Sequence, residues 1–139
     1  MSTSYTAILL SDIASSGEGL ELLKLHNIRV DNGEHNDRWP TLSEIRSLLK
    51  SVPDSDYTEY FQENRLEIVL ESLNGEFSHL FIDDLLNKSP HDAVDFSFYR
   101  SDMNLMRQIL IIFATYCGYF IVFDGNILID VIQEVSDAA

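Results

Sequence analysis

Between Ile109 and Phe123 only Thr115 and Gly118 interrupt a run of apolar and aromatic side chains. A chain rich in acid must cover such a run with the rest of itself. Ser101 or Asp102 supplies a helix cap, because either side-chain oxygen can accept a free N–H of the first turn. Leu105, Met106, Ile109, Leu110, Ile112, Phe113, Tyr116 and Cys117 then cover more than one helical face, which predicts a buried helix over about 102–117. Gly118 suits the end of that helix. Tyr119 to Phe123 is aromatic and β-branched and predicts a strand. Asp124-Gly125 predicts a tight turn, with Asn126 to Asp130 returning as the partner strand. A charge at Ile112 or Phe113 is expected to unfold such a core. The unbroken apolar part is about 15 residues, short of the roughly 20 that a spanning helix needs, so a membrane span is not expected.

Asn74-Gly75 between Leu66–Leu73 and Glu76–Asp83 predicts a second hairpin. A two-residue turn there would pair Leu73 with Glu76, Leu70 with His79 and Ile68 with Phe81. One face then holds Leu66, Ile68, Leu70, Phe77, His79 and Phe81, and that face is expected to pack on the central helix. The other holds Glu67, Val69, Glu71, Glu76, Ser78 and Leu80.

Earlier in the chain, residues 5–14 form an apolar first element. Ile8, Leu9 and Ile13 fit one helical face, while residues 5–10 also fit a strand. Leu20, Leu23 and His26 predict a short helix near 18–26. Asp31 to Asp37 is a loop by composition; its Gly33 falls third, which does not fit a calcium loop that needs glycine at six. Thr41-Leu-Ser-Glu44 is a capping box, Ile45, Leu48 and Leu49 give its helix a buried face, and Val52-Pro53 stops it. Trp39, just before, is expected to pack rather than to serve as an exposed anchor. Asp56 to Phe61 alternates like an edge strand. Residues 83–95 connect, with room for one helical turn, and Phe96-Ser-Phe98 alternates like a short strand. The expected class is α+β in one domain, 1–139: an antiparallel sheet of two β-hairpins (about 66–83 and 119–130) packed on a buried helix with N-terminal helices.

Composition narrows the function classes. The chain has 139 residues, 45% of them hydrophobic, and a formal net charge of −14. The one cysteine excludes an internal disulfide, and Met1 to Ser4 does not open like a signal peptide, so a cytoplasmic setting is expected. Cys117 lies in the apolar helix and reads as a small buried hydrophobe. Residues 51–64 carry Asp54, Asp56, Glu59 and Glu63 without a Lys or Arg, and Asp124, Asp130, Glu134 and Asp137 follow Gly118 unopposed. Such a surface repels nucleic acid and anionic membranes. It steers a basic protein inward.

Catalytic motifs are sparse. There is no G-x-S-x-G, no phosphate-cradling glycine loop and no HExxH. His79, Asp83, Asp84, His91, Asp92 and Asp95 are the best candidate constellation of ligand types, and no recognised metal spacing orders them. Arg100 and Arg107 are expected to pair with carboxylates. No cofactor is expected. The first functional expectation is a non-catalytic module that binds a basic protein, in its concrete form a cytosolic immunity protein neutralising a toxin or enzyme. Its contact residues would be Asp54, Asp56, Tyr57, Glu59, Tyr60 and Glu63; the bland reading of these is an edge strand protected by charge. The alternatives are a small metal-dependent enzyme or metal-binding protein using His79, Asp83, His91 and Asp95, and a self-associating structural domain.

Overall fold

A computed structural model describes residues 4–28, 38–125 and 127–132. The loop at 31–37, with its rejected calcium reading, lies outside them. Seven strands form one antiparallel sheet: β1 Ser4–Leu9, β2 Ser55–Gln62, β3 Arg65–Ser72, β4 Phe77–Ile82, β5 Ser97–Tyr99, β6 Phe120–Asp124 and β7 Ile127–Ile132. Four α-helices accompany them: α1 Leu10–Ala14, α2 Gly17–Leu25, α3 Leu42–Lys50 and α4 Met103–Cys117. The order across the sheet is β2-β3-β4-β5-β1-β6-β7. Both expected hairpins therefore share one sheet, and β5 with β1 is what joins them.

The first element divides. Ser4 to Leu9 is a strand because Ala7 and Leu9 alternate into the core and both edges of β1 find partners, Tyr5 opposite Phe98 and Ala7 opposite Val122. The helix begins only at Leu10. No helix is long and apolar enough to cross a membrane among the described residues.

One face of the sheet is packed along its whole width. Leu66, Ile68, Leu70, Leu80, Ile82, Phe98, Phe120 and Val122 meet Ile45 and Leu49 of α3 and Leu105, Ile109, Phe113 and Cys117 of α4. Trp39 packs there too, edge-on to Phe96 and Phe120, while its Nε1 donates to Asp12 at 2.8 Å. Among the described residues the other face is covered at one end only: α1 and α2 bring Leu10 and Leu23 onto Ile121.

The 66–83 hairpin differs from expectation by one residue. Leu66 pairs with Ile82, Ile68 with Leu80 and Leu70 with Ser78. The loop is Leu73-Asn74-Gly75, closed when the Ser72 N–H donates to the Glu76 carbonyl at 2.8 Å. The Ser72 hydroxyl accepts the N–H groups of Asn74 and Glu76, and Gly75 adopts φ +80°, as a three-residue hairpin loop requires. A one-residue slip sends every side chain of one strand to the opposite face. Ser78, Leu80 and Ile82 therefore face the helices, and Phe77, His79 and Phe81 face away from them. In the other hairpin Asp124 is already paired with Ile127, so it ends β6 instead of opening the turn.

Asp102, not Ser101, caps α4, its Oδ2 accepting the Leu105 N–H at 3.0 Å. Ser101 has a different task. Its hydroxyl meets the Ser78 hydroxyl at 2.9 Å and accepts the His79 N–H at 3.1 Å, which gives the buried Ser78 side chain on the packed face a partner.

The capping box of α3 forms as expected, and Glu44 does more than cap. It accepts the Thr41 N–H at 2.9 Å and both arms of the Arg38 guanidinium at 2.6 and 2.7 Å. The Arg38 bonds lead in holding its carboxyl down, from the ordinary 4.5 to about 2. A depressed carboxyl stabilises the fold above its unfolded value and stops doing so as pH falls through its folded value. Urea midpoints of the wild type and Glu44→Gln should therefore differ most above pH 4.5 and converge as pH drops to about 2. A gap that stays constant across that window would remove this role from Glu44.

Candidate binding face and its edge strand

The half of the sheet that no described helix covers follows from the register. On the face away from α3 and α4, Asp56, Glu71 and Phe77 form one row, Thr58, Val69, His79 and Tyr99 the next, and Tyr60, Glu67, Phe81 and Ser97 a third. None of the described helices lies over these rows, and Tyr60 and Phe77 remain 54% and 43% exposed. Tyr60, Glu67, Val69, Phe77 and His79 line a hollow of about 450 Å³. His79 Nδ1 lies 2.7 Å from Glu67 Oε2, and its ring stacks on Phe77 with centroids 6.4 Å apart. Farther along, Arg65 sits 4.9 Å over the Phe81 ring and Arg100 5.3 Å over Tyr99. Asp56 and Glu71 have no ion-pair partner among the described residues.

The six expected contact residues do not share one face. Asp56 and Tyr60 point to the open side. Tyr57 and Glu59 point to the helix side: Tyr57 packs against the core, and its hydroxyl donates to Glu59 Oε2, which also takes Arg46 Nε of α3 at 3.0 Å. Burial, then the Glu59 carboxylate, pushes the Tyr57 hydroxyl well above its ordinary range. Asp54 and Glu63 lie beyond the two ends of β2 with φ near +55°, so they are turn residues. The alternation of Asp56 to Phe61 was legible as a strand, but which residues share a side depends on where β3 pairs with it. Phe77 and Phe81 were missed as surface groups because the expected register buried them, whereas Val69 was already expected on the face away from the helix. Ser72, two residues before Asn74-Gly75, was the available clue to the longer loop.

β2 is an edge strand, and its acids suit that position. Two copies pairing edge to edge would bring Asp56, Glu59 and their mates together, which opposes self-association here. The opposite edge, β7, exposes Ile127 and Ile129.

The expected ligand groups disperse. Asp83 pairs with Arg65 at 2.6 Å, His79 with Glu67, while His91 and Asp95 are exposed in the connection after β4. Asp92 closes a turn by accepting the Ser89 N–H at 2.8 Å, and Asp84 binds Asn64 and Asn87. Among the described residues no three of His, Cys, Asp and Glu come close enough to hold a metal ion. Of the expected arginine pairs, Arg107 finds Asp130 at 2.5 Å. Cys117 is buried, and that burial lifts its thiol to about 11, the opposite of what a nucleophile needs.

Comparison with known proteins finds no family model, no curated protein and no solved structure that matches this chain.

Proposed function

We propose that this protein is a non-catalytic module that binds a basic protein on the open face of β2–β5. The observation that carries the reading is the contrast between the two faces of the same strands. One is sealed by α3 and α4; the other presents Tyr60, Val69, Phe77, Phe81 and Tyr99 beside the carboxylates of Asp56 and Glu71, which have no ion-pair partner among the described residues. Aromatic anchors with a charged surround are what a protein interface uses. The net charge of −14 adds steering toward a cationic partner, so the concrete version is an immunity protein that blocks a basic toxin or enzyme. The catalytic alternative at His79, Asp83, His91 and Asp95 has less behind it, because two of its groups already have partners and the other two are dispersed.

The test is capture of a basic protein at low and raised salt, followed by reconstitution of the purified pair. The wild type is expected to retain it at low salt in a fixed stoichiometry and to suppress its activity. Asp56→Lys/Glu71→Lys, two exchanges at solvent-facing sheet positions, should keep the melting temperature and lower affinity by about 10-fold or more, mostly at the association step. Retention that ignores both salt and the double exchange would overturn the reading.

A further inference from the structure

We propose that the hollow over Val69 receives a single lysine or arginine side chain from that basic partner, with Tyr60 and Phe77 as walls and Glu67 as counter-charge. The source of the side chain rests on the function proposed above; the chemistry of the hollow does not.

The shape comes from side-chain size. Val69 is short and lies between two exposed rings, Tyr60 from β2 and Phe77 from β4, so the sheet surface dips there to a hollow of about 450 Å³. A hollow open to solvent suits a side chain offered by another surface better than an enclosed small molecule.

The charge preference comes from three observations. First, aromatic faces attract cations, and this face already uses that attraction internally: Arg65 lies over Phe81 and Arg100 over Tyr99. Tyr60 and Phe77 have no such cation among the described residues, although they belong to the same surface. Second, Glu67 is held in place. His79 Nδ1 bonds its Oε2, and His79 is itself stacked on Phe77, which leaves Oε1 without a hydrogen-bond partner among the described residues. A carboxylate fixed by one oxygen retains acceptor sites on the other. Third, Asp56 and Glu71 stand in the row beside Val69, both without an ion-pair partner among the described residues, so the approach is acidic and an anion would be repelled. The stem of a lysine or arginine would lie on Val69 between the rings while its head reached Glu67, the division of apolar stem and charged tip that these residues use elsewhere.

The probe is N-acetyl-lysine methylamide, with N-acetyl-norleucine methylamide as its neutral counterpart, titrated into the full chain at low salt and followed by amide shifts. Lysine is expected to move the amides around Val69, Phe77 and His79 with weak affinity, and norleucine is not. Glu67→Gln should weaken lysine binding about 10-fold or more. Tyr60→Ala, at a ring that is 54% exposed on the edge strand, should weaken it several-fold. Asp124→Asn, in the distant hairpin, should change nothing. Equal response to both probes, shifts elsewhere, or full binding by Glu67→Gln and Tyr60→Ala would overturn the assignment. Absence of lysine binding alongside intact capture of a basic protein would remove the hollow and keep the function. Lysine binding without any captured partner would keep the hollow and remove the function.

Discussion

Phe113→Ala is expected to lower unfolding stability by about 3–5 kcal/mol, the range for emptying a buried phenylalanine site. Phe113 is fully buried at the middle of α4, with its ring 5.2 Å from that of Phe96 and edge-on to it. Phe96 in turn meets Trp39, Phe98 and Phe120, so the ring ties the helix to both halves of the sheet. The vacated volume has aromatic neighbours on several sides, and rigid rings collapse poorly into a void. Domains of this kind hold only about 5–15 kcal/mol in total, so the variant should be marginal at room temperature. Tyr116→Ala, three residues on in the same helix but 56% exposed, should change stability by no more than about 0.5 kcal/mol. Urea unfolding of the pair separates packing from helix propensity. Comparable losses would mean that the core does not depend on the face of α4 described above.

Gly118→Ala should cost about 1–3 kcal/mol, although it adds a single methyl group. Gly118 has φ +106° and ψ −176°, a region open in practice to glycine alone. Its N–H donates to the Ala114 carbonyl at 3.2 Å and closes α4, and the next residue already receives the Leu10 N–H on its carbonyl at 2.9 Å. The chain must therefore turn from helix to central strand at one residue. Gly17→Ala is the matched control. It lies in the first turn of α2, a Cβ there meets nothing within 4 Å, and the exchange should be neutral or slightly stabilising. Thermal melts of the two variants make the comparison. An equal response would show that the bend at Gly118 tolerates a side chain.

These two positions also show how far the sequence reaches. It marked the helix from its cap to Gly118, and the glycine that ends it. It did not distinguish Ile112 from Phe113 as sites intolerant of charge. Ile112 is only partly buried, because the sheet lies against one side of α4 and leaves another to solvent, whereas the hydrophobic pattern covered most sides. The Thr41–Glu44 box was legible for the same reason as the helix: it depends on neighbours a few residues away, whereas Trp39 takes its partners Asp12, Phe96 and Phe120 from distant parts of the chain.

The candidate site was legible in composition and not in arrangement. The acids of 54–63 and the aromatics among them were visible, but β3 divides them, sending Tyr57 and Glu59 to Arg46 and the core and leaving Asp56 and Tyr60 outside. Phe77 and His79 reached the open face only because Ser72 closed a three-residue loop. Local chemistry determined the helix caps, the places of the two hairpin turns but not their exact residues, the α+β class and the acidic balance, since caps, alternation and charge act over a few residues. Tertiary structure decided the insertion of β1 between β5 and β6, the joining of the hairpins and the content of the open face. Pairing between strands distant in the chain, and a register in which one residue reverses every side chain, are set by the whole sheet closing on its core.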